Sequence, residues 1–361
     1  MYFLSTFLSV AVLLALLIPG FILRKMRLIS NHVAKDLSGI LIYIGLPAMI
    51  FYCMMTVDIS LVTPFKLGMS IAFALLTHAV GFVITRLVYM KDRAGGKKAA
   101  ASFCAVFANC GFVGIPISQI AVRYCDAMDM AVDAALSEAM LYVTLFNVVF
   151  NLLNWTLGVW LYTGENSGHE HAEGENAEGG EAAVAHEKRP GALVMVRKAL
   201  LNPCTIATVI ALPFTLTGVS LLDPIFVGSF EIDQVADFIT YLYNLCVPVS
   251  MCILGVRIAD MKVAPMFKSK YTYISTAIKQ VIVPAVILGL MLVVEVWADL
   301  GMPFVLSMTV MAATPAATTA LAFAERFGGD STVAGECIMF GTVVSAVTVP
   351  LFLTIASAAV A

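Results

Sequence analysis

The sequence predicts an all-α integral membrane protein whose ten transmembrane helices form two five-helix halves of opposite orientation. Three observations predict it. First, only 12% of the 361 residues are charged and 60% are hydrophobic, with a mean hydropathy of +0.93. A soluble domain carries about 25% charged residues, so a water-soluble enzyme, a nucleic-acid binder and a disordered chain are all excluded. Second, the apolar runs are continuous over the roughly 20 residues that a spanning helix needs, longer than the alternating ten of a membrane strand. Third, the basic residues are sorted by position, and 18 of the 21 Lys and Arg fall in alternate loops.

The spans read, in order, 2–23, 36–57, 65–89, 99–122, 134–162, 200–221, 233–256, 271–297, 303–325 and 331–358. The first has its basic residues, Arg24, Lys25 and Arg27, after it and no small-residue cleavage site, so it reads as a membrane helix and not a removed leader. Lys35 precedes the second span, and Arg86, Lys91, Arg93, Lys97 and Lys98 join the third to the fourth. Lys188, Arg189, Arg197 and Lys198 precede the sixth. Arg257, Lys262, Lys268 and Lys270 follow the seventh, and Arg326 follows the ninth. Lys66 and Arg123 fall on the other side, and Lys279 lies inside the eighth span. The positive-inside rule then puts both termini outside the cytoplasm. The eight cysteines, none in a CxxC pair, read as small residues packing between helices, with no metal or disulfide role.

Residues 164–190 differ from the rest, with seven Glu, five Gly and almost no large apolar side chain. This composition predicts a disordered cytoplasmic linker between halves 1–163 and 191–361. His169, Glu170, His171 and His186 read as part of a solvated tether in preference to a metal site.

Five helices on either side of the linker is an odd number, so any likeness between the halves is an inverted repeat, a transporter architecture. Pro47 in the second helix and Pro248 in the seventh sit at matching depths, with Asn244 nearby. The fourth helix breaks at Asn109-Cys110-Gly111-Phe112-Val113-Gly114-Ile115-Pro116, and the ninth at Thr314-Pro315-Ala316-Ala317-Thr318-Thr319. Gly and Pro free backbone groups that lipid cannot satisfy, so paired breaks point to a midplane binding site. Half-helix N-termini at such breaks suit a carboxylate.

The segment 109–116 resembles the fourth-helix motif of the auxin efflux carrier family, which includes plant auxin exporters and bacterial carriers for malonate and malate. Pro19-Gly20-Phe21-Ile22-Leu23-Arg24-Lys25, Leu37-Ser38 and Leu46-Pro47-Ala48 are similar to its bacterial branch. Pro315 through Ala324-Glu325-Arg326-Phe327 is similar to its ninth helix. The resemblance implies the inverted five-plus-five fold of sodium/proton antiporters and bile-acid carriers. Helices 1, 2, 6 and 7 would be a scaffold and dimer interface, and helices 3–5 and 8–10 a transport domain in which helices 4 and 9 cross. Asn109, Pro116 and Pro315 match the crossover, whereas the Ala/Thr run after Pro315 departs from the plant pattern.

Intramembrane polar residues complete the expectation. Lys279 in helix 8 could attract an anion or stand in for a coupling cation, and His78 in helix 3 could relay a proton; structural packing is the alternative for each. Asn147, Asn151 and Asn154 share one face of helix 5, either as interhelical glue or, for Asn147, along a substrate path. Together these features predict an elevator-type secondary transporter of a small organic anion in a bacterial inner membrane, probed at Asn109, Gly111, Gly114, Pro116, Asn147, Thr314, Pro315, Thr318 and Thr319. No cofactor, metal or nucleic acid is expected, only a possible coupling proton or sodium ion and the lipid bilayer. A membrane receptor signalling through the acidic linker is the alternative of a different class.

Overall fold

A computed structural model describes the chain except residues 1, 31, 57–62, 126–129, 167–193, 195–196, 198–200, 202, 223–224, 228–229, 233, 261–268 and 361. Most of the predicted linker, with His169, Glu170, His171 and His186, lies outside the described residues.

Helices occupy all ten predicted stretches. They are α1 (Tyr2–Ala15), α2 (Leu17–Lys25), α3 (Val33–Ile40), α4 (Leu46–Met55), α5 (Pro64–Val88), α6 (Gly95–Val106), α7 (Ile115–Arg123), α8 (Val132–Leu153) and α9 (Val159–Asn166). After the linker come α10 (Pro203–Thr217), α11 (Gln234–Asn244), α12 (Cys246–Asp260), α13 (Lys270–Ala277), α14 (Val283–Ala298), α15 (Met302–Ala313), α16 (Thr319–Phe327) and α17 (Ser331–Val360). Among the described residues, six continuous stretches are long and apolar enough to cross a membrane: Val33–Met55, Pro64–Val88, Val132–Thr163, Ala236–Asp260, Lys270–Ala298 and Ser331–Val360. The fifth predicted helix runs to Asn166, slightly past its expected end. An antiparallel hairpin of β1 (Ile225–Val227) and β2 (Phe230–Ile232), unforeseen in the sequence, precedes α11.

Several helices are joined through one wide π-type turn. Three of these turns, at Leu41–Gly45, Cys110–Gly114 and Ile278–Ile282, lead directly into a helix with proline in its first turn: Pro47, Pro116 and Pro284. Proline has no N–H to give to the preceding turn, and a widened turn accommodates its ring without ending the helix.

Small residues set the closest helix contacts. A Cβ added to Gly255 would meet the backbone carbonyl of Leu17, and one added to Gly20 the carbonyl of Cys252, so α2 and α12 approach backbone to backbone. Arg24 and Asp260 close this pair with an ion pair of 2.6 Å. At the centre, every residue of α15 is buried, in keeping with a sequence apolar on all sides apart from Ser307 and Thr309. Ala99–Ala101 of α6 pack into the same core. All eight cysteines are thiols, seven of them buried, in keeping with the packing role read from sequence.

Beyond the end of α5, Asp92 ties the loop to α13. Its carboxylate accepts the Ala94 N–H at 2.9 Å, the Lys270 ammonium at 3.1 Å and the Tyr271 hydroxyl at 3.0 Å. Burial by itself would raise the Asp92 pKa; the Ala94 N–H, Lys270 and Tyr271 outweigh it and hold the group below its ordinary value.

Candidate functional site

The two broken helices meet. The chain leaves α6 in extended conformation at Phe107 and leaves α15 extended at Thr314. These two segments then pair antiparallel through Ala108 and Ala316. The Asn109 N–H donates to the Pro315 carbonyl at 2.8 Å, and the Ala317 N–H donates to the Phe107 carbonyl at 2.9 Å. Each break thereby satisfies groups freed by the other, which is how irregular backbone survives at this depth. Alanine at 108 and 316 leaves room for the approach, and both are buried.

The pairing fixes where helix dipoles point. The C-terminal ends of α6 and α15 arrive at the crossing, and the first turns leading into α7 and α16 depart from it. Both of those first turns border one cavity of about 670 Å³, through Cys110, Gly111 and Phe112 on one side and Thr318 and Thr319 on the other. First-turn N–H groups have no partner within their own helix, so this wall carries donors and a partial positive charge.

The side chains strengthen that character. Asn109 is 4% exposed, and its Nδ2 has no hydrogen-bond partner among the described residues. Asn147, Asn151 and Asn154 line the same cavity from α8 and the turn after it. Asn147 and Asn151 spend Nδ2 on backbone carbonyls four residues back, and Asn154 accepts the Thr319 hydroxyl at 3.3 Å. The stripe is therefore both glue and lining. Tyr43, Phe150, Trp155 and Phe323 supply an apolar flank. Among the described lining residues Arg197 is the only charged one, and none is acidic.

Of the residues predicted from sequence, Asn109, Gly111, Asn147, Thr318 and Thr319 line this cavity. Gly114, Pro116, Thr314 and Pro315 do not; they are buried structural members of the crossing. Gly114 packs on Met311 and Thr314, the Thr314 hydroxyl bonds the Met311 carbonyl, and Pro315 accepts from Asn109. Pro47, Asn244 and Pro248 are likewise away from the lining. Arg197, Trp155, Phe150 and Phe323 were missed, because only the folded chain brings four separate segments to one wall. Arg197 had counted as one loop charge among many.

Lys279 and His78 also lie outside the cavity lining. Lys279, in the wide turn between α13 and α14, is 1% exposed and donates to the Ala312 carbonyl at 3.1 Å. Its ammonium thus sits at the C-terminal, negative end of α15, on an electrostatically favourable side of the crossing. Gln280 beside it donates to the Gly341 carbonyl at 2.6 Å and leaves its own Oε1 unpartnered among the described residues. The His78 ring is enclosed by Phe107, Phe146 and Phe150, with Nδ1 2.7 Å from the Ala74 carbonyl.

Comparison with known proteins gives the family. No curated protein matches the chain. The family model described as "Membrane transport protein" matches residues 5–353, nearly the whole length. That is a family of transporters, not of enzymes. The chain belongs to this membrane transport family, the one that holds the auxin efflux carriers.

Proposed function

We propose that the chain is a secondary transporter of a small organic anion: a mono- or dicarboxylate such as malonate or malate, or an auxin-like acid. The observation that supports it is the cavity wall. Two half-helix N-termini, the unpartnered Asn109 amide and Arg197 face one space that no described acidic residue borders. An anion entering it meets donors and positive potential, and a cation meets neither a carboxylate nor an acidic cluster.

In this reading the ten stretches are five-plus-five inverted spans in a bacterial inner membrane, with both termini outside and the linker in the cytoplasm. Helices α1–α4 and α10–α12 form the scaffold and dimer interface. Helices α5–α9 and α13–α17 form a transport domain that carries the crossing between the two faces by an elevator movement. With Arg197 counted among the cytoplasmic basic residues, this reading has the cavity that it lines open to the cytoplasm, as in an inward-open state. Lys279 supplies a fixed positive charge behind the crossing and compensates the anion, and His78 is a packing residue that could still relay a proton.

Thermal-shift screening of the purified protein against small organic anions, with and without sodium and across pH, identifies the substrate. Uptake of that substrate into proteoliposomes by Asn109→Ala and Thr318→Ala variants then tests the site. Full uptake by both variants rejects it.

A further inference from the structure

Helix α11–α12 touches the crossing at three places seven residues apart. Tyr243 accepts from the Gln119 amide at 2.7 Å, through the tyrosine oxygen. The Ser250 hydroxyl reaches the Phe112 carbonyl at 3.3 Å, and also the Val247 carbonyl on its own helix at 2.9 Å. The Arg257 guanidinium donates to the Thr318 carbonyl at 3.5 Å. Positions i, i+7 and i+14 of a helix share one face and rise about 10.5 Å per step. All three contacts cross from the proposed scaffold to the proposed transport domain, and each partner lies on a segment of the crossing or on α7.

The three side chains are held from the scaffold side. Tyr243 stacks on Tyr52 of α4, ring centroids 4.9 Å apart and planes 14° apart. Arg257 lies two residues after Gly255, whose backbone packs closely against that of Leu17. The contact made by Arg257 also runs between two open spaces. Thr318 borders the 670 Å³ cavity, and Arg257 borders a second cavity of about 960 Å³ with Leu321, Ala322 and Glu325. The seam at this end of the bundle is hollow on both sides of the bond. A weak, long hydrogen bond bridging two cavities is suited to making and breaking, whereas a packed interface is not.

We propose that Tyr243, Ser250 and Arg257 are a polar rail on which the crossing registers, and that the Arg257–Thr318 bond is the latch of the conformation seen here. They are positioning residues. This rests on the two-body reading above but concerns its conformations, not its substrate. Sliding the crossing by one step of the rail transfers the Thr318 carbonyl from Arg257 to Ser250 and moves the Thr318 wall of the cavity with it, which changes access to that space.

The test uses the full chain in membranes without any substrate. Ile42, on the cavity wall, is replaced by cysteine in a Cys110→Ser/Cys204→Ser/Cys252→Ser background, because Cys110 and Cys204 line the same cavity and Cys252 is the half-exposed native thiol. Its labelling rate by a membrane-impermeant maleimide, applied from the face that carries Arg197, reports the open state. Arg257→Gln is expected to slow labelling several-fold, Tyr243→Phe to slow it about two-fold, and Arg257→Lys to restore most of the rate. A Ser250→Cys/Thr318→Cys pair is expected to cross-link with a short bifunctional reagent in the Arg257→Gln background and not with Arg257 present. Should Arg257→Gln fail to fold, Tyr243→Phe and Ser250→Ala carry the test, since each deletes a single hydroxyl. Unchanged labelling in all folded variants, or equal cross-linking with and without Arg257, overturns the rail. Neither result touches the uptake test, so the two readings fail separately.

Discussion

The Asn109 N–H donates to the Pro315 carbonyl at 2.8 Å, joining two residues 206 positions apart in the chain. This bond makes two separate helix breaks into one structure. It also leaves the Asn109 side chain at the edge of the cavity with its Nδ2 unspent.

Asn109→Ala keeps that backbone bond and removes only the amide. A hydrogen bond to a charged ligand contributes about 1.5–3 kcal/mol, so uptake of an anionic substrate should fall roughly 10- to 100-fold. The melting temperature in detergent should stay within a degree or two of the parent. A large drop in melting temperature would instead assign Asn109 to the fold.

Arg197→Gln tests the charge of the cavity mouth. Because Arg197 is exposed and lines the wall, its effect should be one of attraction from a distance, and salt should screen it. We expect KM for an anion to rise by roughly threefold at low ionic strength, with the difference vanishing near 1 M salt and maximal rate unchanged. Equal KM values at low salt would remove Arg197 from the substrate path.

Lys279→Met replaces the buried ammonium at the end of α15 with a side chain of similar length. If the fixed charge compensates a bound anion, transport should fall at least about tenfold, as for the loss of one charge-assisted contact. The variant should still elute as a folded protein, since it relieves the desolvation of a buried charge and loses in exchange one hydrogen bond to the Ala312 carbonyl. Normal transport by a folded Lys279→Met protein would reject the compensating role.

Gly255→Ala and Gly20→Ala address packing alone. In both, the added methyl meets a backbone carbonyl, of Leu17 or Cys252, which cannot rotate away. Overpacking of this kind costs about 1–3 kcal/mol. Both variants should melt several degrees below the parent, and Gly68→Ala, where the added Cβ meets nothing within 4 Å, should not.

Asp92 predicts a pH dependence of stability. Its folded pKa is depressed, so its contribution is fully present above the ordinary carboxylate value of 3.8 and is lost as pH falls through the lower folded value. At pH 7, Asp92→Asn should lower the melting temperature by the equivalent of about 1–2 kcal/mol, since it weakens hydrogen bonds to a charged acceptor. Once the pH has fallen below the depressed folded value, the two proteins should converge. A difference that stays constant as the carboxylate is titrated would show that its charge is not what the loop uses.

The helices were legible because burial in lipid writes itself on every residue of a span. Long apolar runs and sorted Lys and Arg determine where the chain crosses, and Gly and Pro at 109–116 and 314–315 mark where two helices cannot continue. Tertiary structure decided which of those marks border the cavity. Pro315, Gly114 and Pro116 have the strongest local signals, yet they are consumed in building the crossing, since a break must first satisfy its own backbone. Asn109, Thr318 and Thr319 stay at the wall because they lie at the start of the departing half-helices, whose first turns border the cavity. Arg197 and Trp155 look ordinary in the chain, and only the packing of α8, α10 and the two first turns brings them to the same surface. The rail of Tyr243, Ser250 and Arg257 shows the same division. The sevenfold spacing lies in the sequence, but the partners come from helices more than 60 residues away, and no local pattern encodes them. What a helix is follows from its own residues; what it faces follows from the long-range contacts that close the fold.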